Sequence, residues 1–213
     1  MKTKNQPLRV KEGRTELTVV HEGQKLTFIH PPRGPGTYSQ IEDLIEYKDE
    51  EKKEKSGLKA PTMAQTASLV YAAFFSGDEK VERYANEIKR ILENNWLWGF
   101  TGLLYVLKKG AYIRDKPEVK NEMPYMNESD LVKKLDQKDP SVRFIPFGFK
   151  VGEQTPKQLE KNPFVIGIAG KEGAQKIAEI ADKFKKEPYL GSFESVDREE
   201  IRVSALDSDW SSA

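Results

Sequence analysis

The stretch WLWGFTGLLYVLKKGAYIR, Trp96–Arg114, decides the fold. Trp96, Trp98 and Phe100 form an aromatic entry into an apolar run, Leu103 to Leu107. Lys108-Lys109-Gly110 then supplies a turn, and Ala111–Arg114 returns. Two β-rich runs joined by a short glycine-containing turn predict an antiparallel hairpin.

Two helices are predicted just upstream. Thr62-Met63-Ala64-Gln65 has the pattern of a capping box, in which a threonine hydroxyl and a glutamine amide satisfy free backbone donors. The helix that it opens, to Phe75, is apolar nearly all round and so predicts burial on several sides. Ser76-Gly77-Asp78 breaks it. Val81, Tyr84, Ala85, Ile88, Ile91 and Leu92 then recur at helical spacing over 79–94. Closer to the N-terminus, Leu17, Val19 and His21, then Leu26, Phe28 and His30, alternate about Glu22-Gly23-Gln24. That period of two predicts a first hairpin.

Downstream, Asn127 caps a short helix carrying Leu131, Val132 and Leu135. Val142–Val151 reads as extended, with Pro146 confining it to an edge. Thr155-Pro156-Lys157-Gln158 is a second capping box, with proline where its missing donor costs nothing. The unbroken apolar run Phe164–Ala169 predicts a strand buried on both faces. Gly170–Gly173 would then lead into a helix, and 189–193 and 200–206 would close as strands. Strand pairs, helices and alternating elements in that order give an α+β protein. The expectation is a mixed, mainly antiparallel sheet of about five to seven strands with helices packed on it. One domain over 1–213 is expected; the charged run Lys48 to Lys55 marks the only candidate boundary, near 48–60.

Composition narrows the setting. The 213 residues hold 35 Lys+Arg against 34 Asp+Glu, so no global field recruits nucleic acid or an anionic membrane. No apolar run approaches the ~20 residues of a membrane span. There is no cysteine, which excludes disulfides, thiol nucleophiles and thiolate metal sites. Residues 1–13 are basic without an apolar core, unlike a secretory signal. These features predict a cytoplasmic protein. Its high lysine and glutamate content points to a thermophile.

Motifs for chemistry are sparse. The phosphate-binding Gly-x-x-x-x-Gly-Lys-Ser/Thr, the dinucleotide Gly-x-Gly-x-x-Gly and the nucleophile Gly-x-Ser-x-Gly are all absent. Gly170, Lys171 and Gly173, at a predicted helix start, could approach an anion. His21 and His30 are the only histidines, and their alternating strand positions could make them cross-strand neighbours. His30, Arg33 and Tyr38 could line an anion pocket. Asp207 and Asp209 could ligate a cation, although terminal residues usually fray.

Three functions follow as expectations. The preferred one is a non-catalytic binding or protein-interaction module, with Trp96, Trp98, Phe147 and Phe149 as its surface and a protein partner or second copy of the chain as its occupant. The second is an enzyme for a phosphorylated or anionic small molecule, its site built from the 31–38 loop and the 170–173 turn. The third, disfavoured by the balanced charge, is single-stranded nucleic-acid binding through Tyr105, Phe147 and Phe149. No cofactor is indicated, and no metal site.

Overall fold

Eight consecutive residues of one strand, Gly99–Val106, are buried, so the central hairpin is covered on both faces. This computed structural model describes residues 16–32, 34, 36–49, 54–184 and 188–206. In chain order the elements are β1 (Glu16–His21), β2 (Gln24–Ile29), α1 (Tyr38–Glu46), β3 (Tyr47–Asp49), β4 (Glu54–Lys55), α2 (Met63–Phe75) and α3 (Glu82–Asn94). They continue with β5 (Leu97–Val106), β6 (Gly110–Asp115), β7 (Glu118–Lys120), β8 (Met123–Tyr125), α4 (Glu128–Asp136), β9 (Val142–Pro146) and β10 (Gly152–Glu153). The last are α5 (Pro156–Lys161), α6 (Pro163–Phe184), β11 (Tyr189–Leu190) and β12 (Glu200–Leu206).

The protein is α+β, and every strand pairing among the described residues is antiparallel. The main sheet has four strands in the order β12-β5-β6-β9, fewer than the five to seven expected; the remaining strands form two-stranded pairs. β9 lies at the edge, where Pro146 removes no needed donor.

Alternate residues of β5 serve opposite faces. Leu103 and Tyr105 join Met63 and Ala67 of α2 and Phe164, Ala174 and Ile177 of α6 in the largest core. Leu104 and Val106 meet Leu131 of α4 on the other face. Phe100 packs with Tyr38 and Ile41 of α1. Helices therefore cover both faces of the sheet.

Residues 164–169, predicted as a strand, are helical. They form the first part of α6, which breaks at Gly170 (φ 71°, ψ 170°) and continues to Phe184. A short apolar run is compatible with a buried strand or a buried helix, and periodicity alone does not separate them.

Both capping boxes form. Thr62 Oγ1 accepts from Gln65 N–H and Gln65 Oε1 accepts from Thr62 N–H; Thr155 and Gln158 do the same. They fix where α2 and α5 start and hence which residues share a face. On α2, Met63 and Ala67 reach the sheet core, while Leu69, Val70 and Ala73 meet Leu17 and Val19 of β1 and Ile88 of α3 in a second core. The β1–β2 hairpin is thus held against α2 by two fully buried side chains, each stabilising by about 1.5–3 kcal/mol.

Candidate functional site

A cleft of about 980 Å³ lies where the β1–β2 turn, the second half of α2, the end of α5 and α6 meet. That volume is within the range of small-molecule sites. Two helical stripes build its wall. On α2, Ser68, Tyr71 and Phe75 fall at spacings of three and four residues. On α6, Glu172, Lys176 and Glu179 do the same. Residues so spaced share one helix face.

The stripes interlock. Tyr71 and Phe75 stack with centroids 4.4 Å apart. Lys176 Nζ lies 5.8 Å from the Tyr71 ring and Lys183 Nζ 4.4 Å from the Phe75 ring, forming a row of cation, ring, ring and cation. Tyr71 OH donates to Glu179 Oε2 at 2.8 Å, and Gln175 Nε2 donates to Glu179 Oε1 at 3.0 Å. Burial, then the hydrogen bond and charge of Glu179, push the Tyr71 hydroxyl up to about 12.

Behind the wall, Lys176 Nζ donates to Val20 O at 3.1 Å, Ser68 Oγ at 2.9 Å and Glu172 Oε1 at 2.5 Å. Glu172 Oε1 also accepts from Glu22 N–H at 3.2 Å. Burial alone would raise the Glu172 carboxyl, but the hydrogen bond and charge of Lys176, helped by Glu22 N–H, hold it below the usual carboxylate range. His21 Nδ1 is 3.0 Å from Ser68 Oγ, which donates to Ala64 O at 3.2 Å.

Serine, histidine and lysine in mutual contact resemble an activated nucleophile. Counting donors and acceptors gives a structural role instead. A hydroxyl has one donor and two acceptor sites, and an ammonium has three donors. With its proton on Ala64 O, Ser68 accepts from Lys176 and, in the Nδ1–H tautomer of the imidazole, from His21. All three Lys176 donors are used as well. Ser68 is 1% exposed. The cluster clamps the hairpin to α2 and α6.

The structure scatters the residues singled out from sequence. His21 pairs across the hairpin with Gln24, so it is not beside His30. His30 sits at the other end, its ring edge-on to Tyr84 at 5.0 Å and its Nε2 3.0 Å from Glu87 Oε2 but out of line for a hydrogen bond. Burial, opposed by Glu87 and aided by Arg83, lowers the His30 pKa. At 3.3 Å per strand residue the two ends of the hairpin are roughly 20 Å apart. Tyr38 is buried against Trp98 and Phe100, and its hydroxyl has no hydrogen-bond partner among the described residues. The 170–173 turn lies beside Glu22, at the opposite end of the hairpin from His30. Arg33, Asp207 and Asp209 lie outside the described residues.

Lys171 does line the cleft. Gly170 is the break in α6 rather than a strand-to-helix turn. Gly173 is a packing residue: a Cβ there would lie 2.9 Å from Ala169 Cβ and 3.7 Å from Ala64 Cα. Among the aromatics, Trp96 is 58% exposed, whereas Phe149 and Tyr105 are buried and Phe147 packs on the same core. Tyr105 and Phe149, enclosed in this way, offer a base no face to stack on; Phe147 is half-buried. Tyr71, Phe75, Gln175 and Glu179 were missed, because α2 read as uniformly apolar. Among the described residues, no group of three or more potential metal ligands converges, and no helix is long and apolar enough to cross a membrane.

No protein-family model matches the chain. No curated protein matches it. It is similar to one solved structure, from work on the accommodation of massive sequence variation in Nanoarchaeota by the C-type lectin fold. The two share 16% identity with a TM-score of 0.44, over 70% of this chain and 76% of that one.

Proposed function

We propose that this chain is a non-catalytic binding module and that the cleft between the β1–β2 turn, α2, α5 and α6 is its site. One observation carries the reading: a cavity of ligand size is walled by polar groups already locked to each other. Locked groups lose little side-chain freedom when a ligand arrives, which favours binding. Saturation of Ser68 and Lys176 favours binding over covalent chemistry. The setting that fits a cysteine-free chain rich in lysine and glutamate is a reducing cytoplasm, at high temperature.

The test is a fragment screen by amide chemical shifts, on the wild type and on Ala72→Trp. Ala72 lines the cleft, and tryptophan there intrudes into it between Tyr71 and Ser76. The expected hits cluster at residues 20–25, 68–76, 160–161 and 171–179 and disappear in the variant. Hits elsewhere, or hits indifferent to Ala72→Trp, reject the site.

A further inference from the structure

We propose that the ligand of this cleft is anionic, with its phosphate or carboxylate group held between Lys25, Lys161 and Lys171. This rests on the cleft being the binding site. The three lysines arrive from three separate elements: β2, the last residue of α5, and the first residue after the break in α6. All three line the cleft and all three are exposed. None has an ion-pair partner among the described residues.

Most of the other ionised groups of the wall are already engaged. Lys176 is paired with Glu172, whose Oε1 also takes the Glu22 N–H. Glu179 uses one oxygen on Tyr71 and the other on Gln175. Only Glu160 remains without a partner among the described residues. Both donors to Glu179 are neutral, so it keeps its charge, and the charge on the cleft outside the Lys176–Glu172 pair is three lysines against two glutamates, Glu160 and Glu179. A concave surface with an excess of one sign draws in the opposite charge. An acidic group entering there meets ammonium groups that give up no protein contact to receive it. A cationic ligand would meet those three charges with two carboxylates in its favour, and both oxygens of one of them, Glu179, are already held by Tyr71 and Gln175.

Inorganic pyrophosphate and citrate serve as probes, titrated separately at low ionic strength, where screening is weakest. Amide shifts are expected at Gly23–Lys25, Lys161 and Gly170–Glu172. The double charge reversal Lys161→Glu with Lys171→Glu is expected to weaken binding about tenfold or more, since an exposed ion pair contributes up to about fivefold each. Both sites are exposed, so an unchanged spectrum away from the cleft reports an intact fold. Glu160→Gln is expected to strengthen binding about two- to fivefold. Tighter pyrophosphate assigns a phosphate ligand; tighter citrate assigns a carboxylate.

Shifts spread over lysines outside the cleft, or equal affinity in the charge-reversed protein, overturn the proposal. Neutral fragments that occupy the cleft while neither anion does overturn the anionic ligand and leave the site standing. Failure of neutral and anionic probes alike overturns both.

Discussion

Replacing Lys176 by methionine asks whether the cluster behind the cleft is a structural clamp. Methionine retains the apolar stem and removes the ammonium. Three hydrogen bonds disappear, to Val20 O, Ser68 Oγ and Glu172 Oε1. Breaking a fully buried ion pair costs about 3–5 kcal/mol. Here the lysine side chain is 12% exposed but Glu172 is 39% exposed, so water rehydrates the stranded carboxylate. We expect a loss of about 2 kcal/mol, between that figure and the small effect of a surface pair. For a chain of this size that is a fall of about 4–8 °C in Tm. The assay is urea unfolding, with amide exchange on residues 18–25 to locate the effect. Adding Glu172→Gln should restore about half of the loss by removing the stranded charge. A loss below about 0.5 kcal/mol, or a gain in stability, would refute the clamp. A gain is what a catalytic lysine held against its preference would give.

Further perturbations follow from the same contacts. At Gly99 a Cβ would lie 2.5 Å from Met63 Cα and 2.8 Å from Met63 N, whereas at Gly167 it would meet the side-chain ends of Ile113 and Ile145. Gly99→Ala should therefore cost about 3 kcal/mol or more and Gly167→Ala about 1–3 kcal/mol, measured by denaturant unfolding. As pH falls below 6.5, the unfolded chain protonates its histidine before the buried His30 does, so stability should drop with acidification. His30→Gln should flatten that part of the profile. Tyr71 and Tyr105 are each pushed up to about 12, mainly by burial. Their stabilisation is present below pH 10 and lost between pH 10 and 12, so Tyr71→Phe should reduce the steepness of alkaline unfolding.

Local rules were legible where the sequence itself closes the hydrogen bonds. Thr62 with Gln65, Thr155 with Gln158, and Asn127 all cap as their spacing implies. The first hairpin and the β5–β6 hairpin follow from alternation and turn residues. Phe164–Ala169 misled because a short apolar run has no period to betray whether it is helix or strand. The site was illegible for a related reason. Its wall is a meeting of two helices about a hundred residues apart in sequence, and no single motif contains Tyr71 and Glu179 together. The visible cue was Ser68 and Tyr71, two polar groups on an otherwise apolar helix. Lys171 was singled out as an anion contact on a mistaken strand-to-helix turn, yet it does border the cleft.

The most direct measurement is a crystal of the wild-type protein soaked in a fragment cocktail. The account predicts ordered density in the cleft beside Tyr71, Ser76 and Gln175, with Lys176 still bonded to Ser68 and Glu172. Fragments bound only at other surfaces, or a covalent adduct on Ser68, would contradict it.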